Sequence, residues 1–438
     1  MVPTSNKASS NMAPPEVLVV GAGIGGLVLA LSLHKAGIPV QVVEAVPEIR
    51  PLGVGINLLP HAVRELSELG LAERLEAIAI RTRELIYTNK FGQEIWREDR
   101  GQDAGYRWPQ YSIHRGRLQM LLYDAVRERL GPQAIATDAE LVALEQDEQG
   151  VTARLRRRSD GSALPARRAA IAVGADGIHS AVRAAFYPNE GPPKWNGAVL
   201  WRAVSEAPPY LSGRSMIMAG HQDQKFVCYP IGPEEAARGR SLVNWIAELR
   251  FPNDTPWNRE DWNRPGRIED FLPKFENWNF GWLDVPGLIR ATKAVYEFPM
   301  VDRDPVARWS FGRITLLGDA AHSMYPIGSN GASQAIIDGR VLAWRLATEA
   351  DPQAALRAYE ADRLPPMAKL VLANRANGPE RVMQFVEQHA PNGYAKLDDV
   401  ISRAELEAAA QDYKLVAGFD KEALNTRASF DARHPQAA

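Results

Sequence analysis

One cysteine, Cys228, occurs in 438 residues, and that scarcity excludes a disulfide, a Cys-x-x-Cys redox pair and a cysteine zinc site. A reducing, cytoplasmic setting is the expectation, and any redox chemistry is left to a bound cofactor. Long apolar runs are missing as well. The longest early one, residues 26–33, falls far short of the ~20 residues a membrane span needs, so no membrane partner is expected. Neither charge is in excess: 51 Lys and Arg against 53 Asp and Glu give a net charge of −2, which argues against nucleic acid as a partner. Residues 1–14 are polar with prolines and carry no apolar segment, so they read as a flexible leader and not as a secretion signal.

What is present is glycine in two bare turns. Val17 to Val20 reads as a buried strand, Gly21-Ala22-Gly23-Ile24-Gly25-Gly26 as a turn into a helix reaching about Lys35, and residues 39–44 as a second strand ending at Glu44. The spacing predicts a βαβ unit with GxGxxG at Gly21, Gly23 and Gly26 and an acid eighteen residues after the last glycine. In such a unit the first glycine makes the turn, the second admits a pyrophosphate, the third lets helix and strand pack, and the acid accepts from a ribose hydroxyl. The second bare stretch, "GDAAHSMYPIGSNGASQ" at 318–334, follows an apolar strand and opens a helix. Its amides and the positive end of that helix suit an anion, although ordinary helix capping is the alternative.

Between these turns, Gly53 and Gly55 precede a helix opened by Pro60 and either border a flat ring or form a simple turn. Arg115 stands before a helix whose Leu118, Leu122, Ala125, Val126 and Leu130 share a face; alone, it reads as a solvated helix-start charge. The basic run from 154 to 168 surrounds Ser159-Asp160-Gly161 and reads as a solvated hairpin. Asp176 and Gly177 occupy a third strand-to-helix turn. From about 186 to 295, short β-like runs and seven tryptophans (195, 201, 245, 257, 262, 278, 282) indicate a separate sheet domain. Most of these indoles read as core, with Trp201 and Trp245 as candidate walls of an aromatic pocket. Pro365-Pro366 reads as a chain break before a charged helical end.

Taken in order, "GAGIGG", Glu44, "HRGRLQ" at 114, "GADGIHSAVR" at 174 and "GDAAHSMYPIGSNGASQAIIDG" at 318 resemble the successive motifs of the flavoprotein aromatic hydroxylases, the single-component FAD monooxygenases of the para-hydroxybenzoate hydroxylase type. The resemblance spans roughly residues 16–370. "RPLGVGIN", "YSIHRGRLQM", "SLVNW" and "YEFPMVDRDP" are similar, within that family, to phenazine-carboxylate hydroxylases.

The resemblance implies an α/β fold in which a discontinuous Rossmann-like FAD domain (15–75, 100–185, 296–370) carries an inserted substrate sheet (76–99, 186–295) and a helical C-terminal segment (371–438). It implies that Gly21, Gly23, Ile24, Gly25, Gly26 and Glu44 hold the ADP half of non-covalent FAD. Gly55, Arg115, Asp176 and Asp319 would meet the rest of the cofactor, with Gly328, Gly331 and Ala332 against the flavin edge. Arg202 and Tyr229 would face the substrate, and Pro326 would lie beside the oxygen-reacting carbon. His322 is a tempting base, but packing is its expected role.

The implied reaction consumes NADPH or NADH and O2 and transfers hydroxyl from a flavin C4a-hydroperoxide to an aromatic or N-heteroaromatic acid. An oxidase or dehydrogenase of the same fold, working without a nicotinamide, is the alternative; a flavin halogenase would show a WxWxIP segment, which is absent. Monomer and homodimer are both left open.

Overall fold

The computed structural model describes residues 16–252, 255 and 264–431. The expected leader and the tryptophans at 257 and 262 lie outside the described residues. Val17–Val20 pairs in parallel with Val40–Val43 on one side and Ile171–Gly174 on the other, and the latter pairs in parallel with Ile314–Leu316. Ser310–Phe311 and Ile135–Ala136 complete a six-stranded sheet. Every residue of Val17–Val20 and of Ile171–Gly174 is buried, as the central strands of a parallel sheet covered on both faces must be. Ile24–Ala36 covers one face and stops at Gly37, whose left-handed backbone (φ 81°) returns its N–H to the helix's last carbonyls. The basic run forms the Gly150–Arg156 and Ala163–Ala169 hairpin, where Glu145, Glu140, Asp138 and Asp147 pair with its arginines and leave no positive patch.

An eight-stranded, mainly antiparallel sheet has the order Arg264–Pro265, Tyr296–Asp302, Lys194–Ala207, Ser241–Arg250, Gln224–Pro230, Ser215–Gly220, Glu84–Thr88, Glu94–Asp99. Two expected boundaries move. Tyr296–Asp302 pairs with Lys194–Ala207, so the chain leaves this sheet after 302 and not at 295. Ala79–Arg81 pairs instead with Tyr111–His114, so the earlier excursion begins at Glu84 and not at 76.

Period-two alternation divides this sheet sharply. Trp201, Ala203, Trp245, Phe226 and Cys228 face a core closed by Phe271, Phe275 and Trp278. Trp201 stacks on Phe271 at 4.9 Å and donates Nε1–H to Glu297 at 3.0 Å; the Trp245 indole donates to Ser205 Oγ at 2.9 Å. Trp201 and Trp245 are therefore not pocket walls. Each precedes or follows a residue on the opposite face, and that opposite face carries the cavity described below.

The proline pair does not break the chain either: Pro352–Arg375 is one helix through Pro365 and Pro366. The carbonyls left without a donor belong to Ala361 and Asp362, both exposed to water, while Tyr359, Met367, Leu370 and Val371 anchor the other face. Burial of that face outweighs a local penalty of about 3 kcal/mol.

Trp245→Phe is expected to lower unfolding stability by about 1–3 kcal/mol, through lost packing and the loss of the indole's bond to Ser205 Oγ, while leaving steady-state KM unchanged; denaturant midpoints and substrate kinetics check both parts.

Candidate active site

Three turns distant in sequence meet because their strands are neighbours. Gly21 leaves Val17–Val20, Ala175 leaves Ile171–Gly174, and Gly318 leaves the strand ending at Leu316, all at the carboxyl edge of one parallel sheet. At the first turn each glycine has a separate reason. Gly21 has φ 107° and a Cβ there would sit 2.4 Å from the Ala175 carbonyl oxygen; at Gly26 it would sit 2.1 Å from the Gly21 oxygen. At Gly23 it would meet nothing within 4 Å, so this bare backbone borders open space at the head of a helix. That is the cradle a pyrophosphate requires.

The space in front of Gly23 is a cavity of ≈ 350 Å³ running from the three turns to the inner face of the large sheet. Gly318, Asp319, Pro326, Gly331 and Ala332 border it on the side of the second turn, and Gly55, Ile56 and Arg115 on another. The floor comes from the sheet: Arg202, Ile246, Val227 and Met218 lie across four adjacent strands, with Asn244 and Tyr229 on one flank and Glu248 and Lys225 on the other. Arg202 donates to the Gly55 carbonyl at 3.2 Å, and Asn244 Oδ1 accepts the Gly55 N–H at 2.7 Å, so the floor is fixed to the cofactor side of the wall.

The cavity's electrostatics are unusual. Neither Arg115 nor Arg202 has a carboxylate partner among the described residues. Arg202 Nε has no hydrogen-bond partner, and burial, with Arg115 nearby, lowers its pKa against the opposing effect of Tyr229. Burial pushes the Tyr229 phenol up to about 12, so it remains a hydrogen-bond donor at neutral pH. Asp319 opens onto the cavity yet is ringed by protein, and this loss of water raises its carboxyl pKa.

The structure brings most of the expected positions to this wall: Gly23, Ile24, Gly25, Gly55, Arg115, Arg202, Tyr229, Asp319, Pro326, Gly331 and Ala332. Gly21 and Gly26 shape the turn from behind. Three others differ from expectation. Glu44 is not on the wall; its two oxygens accept the N–H groups of Ala22 (2.7 Å) and Val46 (2.9 Å) and thereby brace the first turn. Asp176 turns into its own loop, accepting from Ser180 Oγ and from Val182 N, and its neighbours Ala175 and Gly177 border the cavity instead. Gly328 is not on the wall, although its neighbours Ile327 and Ser329 are, and a Cβ there would lie 1.9 Å from the Tyr413 hydroxyl, so packing requires its bareness.

Lys225, Glu248 and Glu380 are cavity residues that the motifs did not mark, and Asn244 supports the wall through Gly55. Asn244, Lys225 and Glu248 carry a sequence signal, since they share strand parity with Arg202 or Tyr229; Glu380 comes from a distant segment and carries none.

A family model described as FAD binding domain matches residues 15–265 and 284–374. The phenazine 1,6-dicarboxylic acid hydroxylase of Lysobacter antibioticus is 46% identical over 82% of this chain and 89% of its own length. A 3-amino-4-hydroxybenzoate 2-monooxygenase of Streptomyces platensis is 34% identical over 94% and 98%. Among solved structures, a salicylate hydroxylase substrate complex superposes with TM-score 0.70 at 22% identity (96% and 99% covered), and Klebsiella pneumoniae HpxO with FAD and uric acid with 0.67 at 23% (93% and 94%). The cofactor is FAD.

Two glycine substitutions separate folding from cofactor affinity. Gly23→Ala is expected to fold but to weaken FAD binding at least ~10-fold, because its methyl enters only the cradle; Gly26→Ala is expected to lower stability by more than ~2 kcal/mol. Flavin fluorescence titration and thermal unfolding of both variants check the contrast. Fold, cradle and similarity thus agree: the chain belongs to the FAD binding domain family, as one of its flavoprotein hydroxylases.

Proposed function

We propose that this enzyme hydroxylates a planar aromatic or N-heteroaromatic acid, consuming NADPH or NADH and O2. The observation that carries this reading is Arg202: a guanidinium without a carboxylate partner among the described residues, on a sheet face otherwise floored by Ile246, Val227, Met218 and Leu200. An apolar strip edged by this cation, with the paired charges of Lys225 and Glu248 on one flank, fits a flat ring bearing a carboxylate. The named relatives act on a phenazine dicarboxylic acid and on an aminohydroxybenzoate, which is the same chemistry.

Bound FAD supplies reduction by the nicotinamide and activation of oxygen. The chain's own residues do the rest. Arg202 takes the substrate carboxylate and fixes the ring's orientation. Tyr229, protonated at neutral pH, donates to an acceptor on the ring or its substituent. Met216, Met218, Leu200 and Met300 exclude water from the floor. The cofactor-facing wall rests on Gly23, Arg115, Asp319, Gly331 and Ala332, with Pro326 beside the reacting region and the helix Gly331–Thr348 presenting its positive end. Asp176 and Glu44 act one step back, by stiffening the turns. The named relatives are hydroxylases and monooxygenases, which favours this reading over an oxidase that needs no nicotinamide. The one cysteine, Cys228, is buried and free, which supports a reducing, cytoplasmic setting.

A panel of benzoate, quinoline and phenazine acids, read by substrate-stimulated NAD(P)H oxidation and product mass, tests the class; oxygen insertion appears as a gain of about 16 mass units, and oxidation without it refutes the reading. Arg202→Met is expected to raise KM for the accepted acid roughly 10–100-fold with FAD still bound, the loss of a charge-assisted pair. Unchanged KM removes Arg202 from the site.

A further inference from the structure

A buried charge cluster on the cavity floor is unused by the foregoing account. Lys225 Nζ lies 3.0 Å from Glu248 Oε2 and 2.5 Å from Glu380 Oε2, and all three side chains are nearly inaccessible to bulk solvent while bordering the cavity. One lysine against two glutamates leaves a formal charge of −1. The next cation, Arg250, borders the same cluster and acts on the Glu248 carboxylate, while sharing the exposed Asp223 at 3.5 Å. Among the described residues, Lys225 is the one donor to the Glu248 carboxylate, so its other oxygen is left for whatever enters. Lys225 is thus divided between two carboxylates, and among the described residues neither has a cation of its own at contact distance.

Sheet register places this cluster relative to Arg202. Arg202 is opposite Ile246, and Glu248 is opposite both Leu200 and Lys225. Glu248 is thus one strand across and two residues along from Arg202, roughly 8 Å between Cα atoms from ordinary strand geometry. Asn244 and Tyr229 occupy the opposite flank. A ring system with its carboxylate at Arg202 that extends over Ile246 along the strand direction brings its far edge to Glu248.

We propose that Glu248, held by Lys225 and backed by Glu380, determines specificity by accepting a hydrogen bond from an amino, hydroxyl or ring N–H group on the substrate's far edge, and that it discriminates against a second carboxylate there. The inference rests on the aromatic-acid reading above and deepens it: the substrate is bifunctional, an anion at one end and a donor at the other. Burial raises the Glu248 pKa, while the two glutamates keep Lys225 charged against the effect of its own burial, so the lysine is committed to neutralising them. At this end Lys225 is committed to two carboxylates and Arg250 is shared with Asp223, so an incoming anion is set against Glu248 and Glu380.

The test uses the FAD-loaded enzyme and perturbation of the flavin absorbance spectrum on titration with three probes: phenazine-1-carboxylate, its 6-amino derivative and phenazine-1,6-dicarboxylate. The aminoacid is expected to bind about 10-fold more tightly than the monoacid and the diacid about 10-fold more weakly. In Glu248→Gln the diacid-to-monoacid affinity ratio is expected to rise to within about 3-fold of unity. Glu380→Gln, which removes the same unit of charge one step further from the substrate, provides the same reading should the first variant fail to load FAD. A ratio that neither substitution moves, or a wild-type preference for the diacid, overturns the inference while leaving the aromatic-acid reading intact. Failure of these probes, together with failure of every benzoate and quinoline acid of the panel above, to perturb the flavin overturns both.

Discussion

The arrangement rests on one buried carboxylate. Asp338, with no solvent exposure, sits on the helix Gly331–Thr348 and accepts from the Gly318 backbone N–H at 3.1 Å and from Arg363 Nε at 2.7 Å, with His322 Nε2 at 2.6 Å. Burial alone would raise its pKa; His322 and Arg363 hold it down to about 2, so it stays charged. A single ionised group therefore fastens the end of a strand, the turn leaving it, the following helix and the long helix Pro352–Arg375. Removing any donor would leave a buried charge unmatched, a loss of about 3–5 kcal/mol. His322 is committed by the same contact. With its imidazole closed in by Asp338 and Trp309, it serves the turn as a fixture and not the reaction as a base.

That fixture matters because the cavity has two halves made by different rules. The cofactor half is made of backbone: three turns at the edge of a parallel sheet, where glycine lets main chain approach main chain. The substrate half is made of side chains on one face of an antiparallel sheet, whose other face is a tryptophan and phenylalanine core. Rigidity of the second half follows from that core, since indoles with satisfied N–H groups hold the strands in register. Gly55 joins the halves, exchanging bonds with Arg202 and Asn244 through its own carbonyl and N–H.

How far this was legible in the sequence depends on whether the determining contacts are local. The GxGxxG turn, its strand and its helix come from residues within one short segment, and spacing alone specifies them. The second turn is visible as composition, but the packing that closes on Gly328 is not, because its close neighbour, Tyr413, is far along the chain. The large sheet could be recognised as a sheet, yet its two faces could not be told apart without register. Once Arg202 faces the cavity, parity sends Trp201 to the core, and pairing with Ser241–Arg250 and Gln224–Pro230 brings Asn244, Glu248 and Lys225 inward. The proline pair obeyed a local rule that packing overrode, because the carbonyls it frees face water. Glu44 and Asp176 show a subtler difference: acids at the right positions, with their oxygens engaged by the backbone of the turns they were expected to serve.

The C-terminal segment closes the argument, because it completes the cavity from beyond the matched family region, which ends at 374. Tyr413 donates toward the Ile327 carbonyl and Asn374 Oδ1, and receives Asn330 Nδ2 at 2.8 Å, locking the loop between Pro326 and the helix head. Glu380 reaches the sheet floor from the same side. The parts that handle the dinucleotide thus lie within the matched region, whereas the brace on the second turn and one arm of the charge cluster lie outside it. A fold that builds its cradle from three backbone turns and completes its floor with a segment beyond all of them can change that floor without disturbing the cradle, and the position of Glu380 after every one of those turns is the form that freedom takes here.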